Sequence, residues 1–242
     1  MQGSAWPLQI IFLFVCLISS KAQVPEMVQS SPFKVADNLR SATITDGSGL
    51  PRFPLIEING ERLLFQFDLI QDDREWLHYR LIPCDMMGNV VEVDPSEFIQ
   101  GFYQGEINDV ELAFNTTTDY AHFSLTFPND MMKPIQSGRY WLLVYRDDDF
   151  QNEDNQVVAF PLFVSGGRMN VNARRLKSND VSKIYSHQQI ETFAFPDQMS
   201  FNDIPRDIRV MIYQNFDLTT TLPPIAPTFI TPDQWTFQHL DI

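Results

Sequence analysis

The residue types that could do chemistry are few and scattered in this 242-residue chain. His78, His122, His187 and His239 stand well apart, three of them inside or beside apolar alternations that read as strands. A lone strand histidine is ordinarily a packing or surface residue. Cys84, in "LIPCDMM", has His78 upstream, but a nucleophilic thiol needs a base that is itself oriented by a third group. Nothing in the spacing supplies one, and the expectation is a buried thiol. "RDDDFQNEDN" (Arg146 to Asn155) gathers the carboxylates that Ca²⁺ takes, yet lacks the twelve-residue spacing with its central glycine. Between two strand-like runs it reads as a solvated hairpin loop. "NTT" at Asn115 is formally a glycosylation acceptor and fits a turn. There is no G-x-S-x-G, no H-E-x-x-H, no C-x-x-C and no Gly-rich loop opening a helix. The expectation is therefore no catalytic residue, no cofactor, no bound metal and no small-molecule substrate.

One stretch offers binding instead. "FIQGFYQGEI" places Phe98, Phe102 and Tyr103 on a glycine-containing loop. Loop aromatics can anchor a protein partner or form a platform for a sugar, or they can fold back onto the core.

Composition sets the background for these residues. The chain is 44% hydrophobic, 13% aromatic and 20% charged, enough apolar surface to offset the ordering entropy of a globular fold. "LQIIFLFVCLI" (Leu8 to Ile18) is too short to span a bilayer, and Ser20 and Ala22 are the small residues that a signal peptidase inspects. Residues 1–22 are expected to be a signal peptide, although "MQGSAW" lacks the usual Lys or Arg. Cys16 does not fit a lipidation site, because bulky Val15 precedes it where a small residue is wanted. The rest is expected to be soluble, without membrane insertion. Loss of Lys21 takes the net charge from −14 to −15, which repels nucleic acid. Cys16 leaves with the signal, so Cys84 has no disulfide partner and a core must hold the fold.

The elements that must position everything else are strands. In "HFSLTF" Phe123, Leu125 and Phe127 alternate with Ser124 and Thr126, the period of a strand with one buried face. "RYWLLVY" is apolar on both faces, with Tyr140, Leu142 and Val144 on one and Trp141, Leu143 and Tyr145 on the other, as in a central strand. The same grammar sets Leu63, Phe65, Phe67 and Leu69 on one face, and Leu77, Tyr79 and Leu81 on another. It also groups Val158, Phe160, Leu162 and Val164, and Val110, Leu112 and Phe114 in "VELAF". With "SATIT" and "PLIEI" these make about seven short strands between turn residues, the pattern of an all-β immunoglobulin- or fibronectin-like β-sandwich over residues 39–165. A lead segment, 23–38, precedes it. Tyr140, after Gly138 and before Trp141, sits where such sandwiches carry a tyrosine that bonds back to the preceding loop. Beyond "SGG", "MNVNARRL", "QQIETFAF" and "DIRVMIYQN" read as strands of a second β-domain, 168–242. "TPDQWTFQHLDI" reads as a further strand with nothing left to pair with, so this second domain is expected to be incomplete.

The long run from "EFIQGFYQGEINDVELAFNT" through "AHFSLTFPND" to "SGRYWLLVY" resembles the type IX secretion system plug proteins of Bacteroidetes, a family first defined as a domain of unknown function. Gly101-Phe102 matches the family's glycine-phenylalanine element, and "HQQI" with "DIRVMIYQN" is similar to a second-domain element. Where members often carry a His-Cys-Asn/Asp segment with a tryptophan soon after, this chain has Pro83, Cys84 and Asp85 and no tryptophan until Trp141. The resemblance implies a non-enzymatic periplasmic subunit that seals the outer-membrane β-barrel translocon of type IX secretion. The alternative that the residues leave open is a secreted or periplasmic carbohydrate-binding sandwich.

Overall fold

A computed structural model describes residues 26–71, 73–167, 169–178, 181–186, 188–196, 204–214, 217–221 and 224–238. The segment read as a signal peptide, and His187 and His239, lie outside the described residues. A single helical turn, α1 (Glu26–Gln29), precedes β1 (Leu39–Asp46), β2 (Leu55–Glu57), β3 (Leu63–Leu69) and β4 (Leu77–Cys84). Then follow α2 (Pro95–Phe98), β5 (Ile99–Gly101), β6 (Gly105–Glu106), β7 (Asp109–Leu112), β8 (Ala121–Phe127), β9 (Met132–Pro134), β10 (Gly138–Arg146) and β11 (Gln156–Ser165). Farther along lie β12 (Met169–Lys177), β13 (Gln188–Pro196), α3 (Ile204–Asp207), β14 (Tyr213–Gln214), β15 (Asp217–Thr221), β16 (Phe229–Ile230) and β17 (Trp235–Gln238). The protein is predominantly β, and among the described residues no helix is long and apolar enough to cross a membrane.

Alternation decides the first sheet, ordered β1-β3-β8-β7 and antiparallel throughout. Leu63, Phe65, Phe67 and Leu69 of β3 point inward beside Phe123, Leu125 and Phe127 of β8, while Gln66, Asp68, His122 and Ser124 face out. The Phe67 and Phe123 rings stack with centroids 5.1 Å apart, one apolar pair extended across the strands. The second sheet runs β2-β11-β10-β4-β6, with β2 parallel to β11 and the other pairs antiparallel. The two sheets face each other across one core, in which Phe160 of β11 meets Phe65 at 5.3 Å and Phe67 at 6.2 Å. The two strands in Asp119 to Tyr145 thus lie in opposite sheets, with the short β9 between them.

β10 is the central strand of its sheet, and both its faces are closed. Tyr140, Leu142 and Val144 enter the shared core. Trp141, Leu143 and Tyr145 form a second cluster with Ile82, Cys84 and Ala159 on the outer face, roofed by Phe33 of the lead segment and Phe150 of the β10–β11 loop. Indole Nε1 of Trp141 donates to the Gly88 carbonyl at 3.0 Å, so the one polar atom of this large side chain is satisfied inside. A strand apolar on both faces needs two covers, and here loops supply the second.

The third sheet, β12-β13-β17-β16, buries less. Trp235, Phe237 and Ala194 form its core, with Met169, Ile204, Ile208 and Val210 packed against them. Three expectations are corrected here. The segment from Trp235, expected to lack a partner, pairs with β13 on one side and β16 on the other, because β13 offers it a register from Glu191 to Ala194. "DIRVMIYQN" is not one long strand: it holds the end of α3, an isolated bridge from Val210 to Ile225 and the two-residue β14. In "VELAF" Leu112 and Phe114 are exposed, Phe114 at 93%, because β7 is a sheet edge that ends before the positive-φ turn at Asn115.

Candidate functional site

The aromatic loop is built from the helix cap outward. Asp94 caps α2 by accepting from the Ser96 amide at 2.9 Å, with Pro95 at the first helical position, where no N–H is needed. This turn drives Phe98 inward, where it is 2% exposed and its ring lies 5.5 Å from that of Tyr140. Phe98, expected as a possible partner contact, therefore has no outer face to offer. β5 then pairs with β9 and ends at Gly101, whose φ is +108°. A Cβ there would stand 2.2 Å from the Met131 carbonyl oxygen, so only glycine lets the two backbones approach this closely. The chain emerges with Phe102 61% and Tyr103 46% exposed, the Phe102 amide donating to Met131 O at 2.8 Å. Met131 and Ile135 beside them are exposed as well.

A second apolar stretch, which the sequence reading missed, lies on the turn after β4. Asp85 accepts from the amides of Met87 (2.8 Å) and Asn89 (2.9 Å), fixing a tight turn that carries Met86, Met87, Val90, Val91 and Val93 to the surface. Gly88, at φ +94°, closes the turn over the Arg139 guanidinium. A cleft of about 230 Å³ lies beside this turn, its wall running from Cys84, Val91 and Val93 to Glu97, Gln136 and Tyr140. Glu97 lines it, and Glu92 and Asp94 stand exposed on the same segment. The signal for this edge was five valines and methionines in a short polar stretch, too irregular to register as a strand.

Two of the residues expected to be structural, Gly138 and Tyr140, lie at the start of β10. The Tyr140 hydroxyl donates to the Gln136 carbonyl at 2.9 Å, and burial pushes its pKa up to about 12. Gly138 opens β10 opposite Val164, with the Tyr140 ring 3.4 Å from where a Cβ would stand. Arg139 is 4% exposed and makes no ion pair among the described residues; it donates to Met86 O at 2.8 Å and lies over the rings of Trp141 and Phe163. Tyr213 reaches the same corner, donating to Met86 O at 3.3 Å, its ring 6.0 Å from Phe163.

Among the described residues, no reactive grouping forms from the remaining candidates. Cys84 lies in the outer cluster and burial raises its thiol pKa to about 12, away from the thiolate that nucleophilic attack requires. His78 sits at the far end of the same strand, roughly 20 Å away at strand rise, its Nε2 3.8 Å from Asp148. The outer face of the first sheet brings together Asp68, His122, Ser41 and Ser124, the types of a hydrolase triad, which register across β1, β3 and β8 alone could reveal. The roles do not follow. His122 Nδ1 meets Asp68 Oδ1 at 2.6 Å, but the Gln66 amide occupies its Nε2 at 3.1 Å, and Ser41 donates to Asp68 rather than to the ring. In the acidic loop Asp154 pairs with Lys34 at 2.6 Å, and Asp149 and Asn152 accept amides of their own turn. Among the described residues no three His, Cys, Asp or Glu gather in a metal-holding group.

Comparison with known proteins adds identity to this geometry. A crystal structure of a hypothetical protein from Parabacteroides merdae superposes with a TM-score of 0.77 at 21% sequence identity, covering 85% of this chain and 51% of that one. The fold is shared, and the chain spans about half the length of that relative. No curated protein matches. The model of the type 9 secretion system plug protein first domain matches residues 39–162, from the start of β1 into β11. That stretch holds both facing sheets and the loops of the apolar end, and it assigns the chain to the type 9 secretion system plug protein family.

Proposed function

We propose that the protein is a non-enzymatic periplasmic plug that docks on the outer-membrane β-barrel translocon of type IX secretion and obstructs its mouth. The match of residues 39–162 to the plug family carries this reading. A stopper has to be rigid and chemically idle, and a strand with both faces closed suits that demand. The facing sheets and the Tyr140-to-Gln136 bond support an immunoglobulin-like reading of residues 39–165, with 168–242 as a second β-domain. Phe102 and Tyr103, with the exposed Met131 and Ile135 and with Val91 and Val93 of the cleft, are the docking contacts, apolar anchors of the kind that dominate interfaces. The test is recovery of the barrel with the tagged protein from solubilised envelopes. Phe102→Ala with Tyr103→Ala is expected to cut recovery about tenfold, in keeping with loss of two interface anchors, while leaving the melting temperature unchanged. Full recovery with the double variant would remove these residues from the contact, and absence of the barrel from the wild-type eluate would sink the plug reading.

One observation favours a sugar-binding alternative. Trp76 is exposed, with the Arg74 guanidinium 5.3 Å from its ring centre, next to an open polar cleft that includes Asn38, Glu75 and Arg146. Retention on immobilised glycans that Trp76→Ala abolishes would favour that reading over the plug.

A further inference from the structure

β12 differs from the rest of the chain in both pairing and charge. It bonds to β13 along its full length, from Met169 opposite Pro196 to Lys177 opposite Gln188, without a bulge. Among the described residues no strand lies along its other edge. Nine residues at about 3.3 Å each leave a row of backbone donors and acceptors roughly 30 Å long facing water. Proteins usually blunt such an edge with a proline, a bulge or a covering loop. β12 contains neither proline nor glycine, and every side chain after Met169 is exposed, Val171 at 57%.

Its charge is opposite to that of the whole molecule. The strand carries Arg174, Arg175 and Lys177 and no acid, on a chain of net charge −14. Arg174 is committed to Glu191, which is buried and also receives the Gln238 amide at 3.4 Å. Arg175 and Lys177 make no ion pair among the described residues. The β12 strand of a second copy would bring the same cations alongside, and like charges on adjacent strands destabilise pairing.

We infer that the free edge of β12 accepts an extended acidic segment of another polypeptide as an added strand. Backbone hydrogen bonds supply the pairing, and Arg175 and Lys177 select carboxylates on the incoming chain. This edge is separate from the apolar end and does not depend on the translocon reading.

The experiment uses the full chain and a capped nine-residue peptide alternating glutamate with valine and threonine, followed by fluorescence anisotropy. The acidic peptide is expected to bind at low ionic strength and to slow amide exchange across residues 169–177. Methylating the amide nitrogens along one edge of the peptide is expected to abolish binding. Arg175→Glu with Lys177→Glu is expected to weaken it about tenfold, the worth of two exposed ion pairs. Phe102→Ala with Tyr103→Ala should leave it unchanged. The inference is overturned if the acidic peptide does not bind, if the N-methylated or lysine-substituted peptide binds equally well, or if sedimentation shows a dimer that the β12 variants dissolve.

Discussion

The two facing sheets and the third sheet are made from the same kind of strand, yet they solve burial differently. In the former, β10 is enclosed on one face by an opposing sheet and on the other by loops, and its alternate side chains belong to two separate clusters. In the latter, Trp235 and Phe237 are covered by a short segment around α3, while β12 remains exposed on both faces. Rigidity comes from a second layer, whatever its secondary structure. Exposed edges are left where that layer is thin.

The comparison breaks most readily at the largest buried rings. Phe160→Ala should cost about 3–5 kcal/mol, as for other fully buried aromatics, and lower the main urea transition. Phe237→Ala should instead act on a smaller transition reported by Trp235 fluorescence. A single transition shifted equally by both would show that the sheets unfold as one unit. The roof of the outer cluster is tested next. With its thiol pKa at about 12, Cys84 should be alkylated in the native protein on the order of a thousandfold more slowly than a free thiol, and at the ordinary rate in urea. Fast native alkylation would mean that the Phe33 and Phe150 cover opens often.

Smaller effects sharpen the picture. Tyr140→Phe removes the hydroxyl that bonds to Gln136 and should cost about 1 kcal/mol in the same urea assay. Tyr213→Phe removes a partly solvated bond to Met86 O and should cost less, acting on how the later segment meets the β4–α2 corner. The smallest is electrostatic. Hydrogen bonds from Ser48 and Arg52 lower the Asp46 pKa to about 2. A depressed carboxylate stabilises the fold above its unfolded value, near 3.9, and that contribution is lost as pH falls toward 2. Asp46→Asn should therefore flatten the melting curve between pH 4 and 2 and change little at pH 7.

Period-two alternation made β3, β4, β8, β10 and β11 legible, because each has one face buried throughout or, in β4, from Leu77 to Leu81. It carries no information about partners. So it could not say that β8 and β10 belong to opposite sheets, or that Trp235 to Gln238 slot between β13 and β16. It also fails at edges: Phe114 continues the alternation of β7 but lies past its last paired residue. The apolar end was half legible. Phe102 and Tyr103 stood out as loop aromatics, whereas the turn from Asp85 to Val93 comes to line a cleft only after β4 and β10 pair, setting Cys84 opposite Arg139.

The parallel pairing of β2 with β11 also governs how the molecule is made. Leu55 waits for Phe163, and the lead segment waits for β11 as well, the Ala36 amide donating to Val157 O at 2.9 Å. A ribosome must therefore deliver nearly the whole first two-thirds of the polypeptide before its opening residues find their seats. Such distant closures make assembly slow. Until they form, the aromatic interior lies open to solvent and to the attention of chaperones.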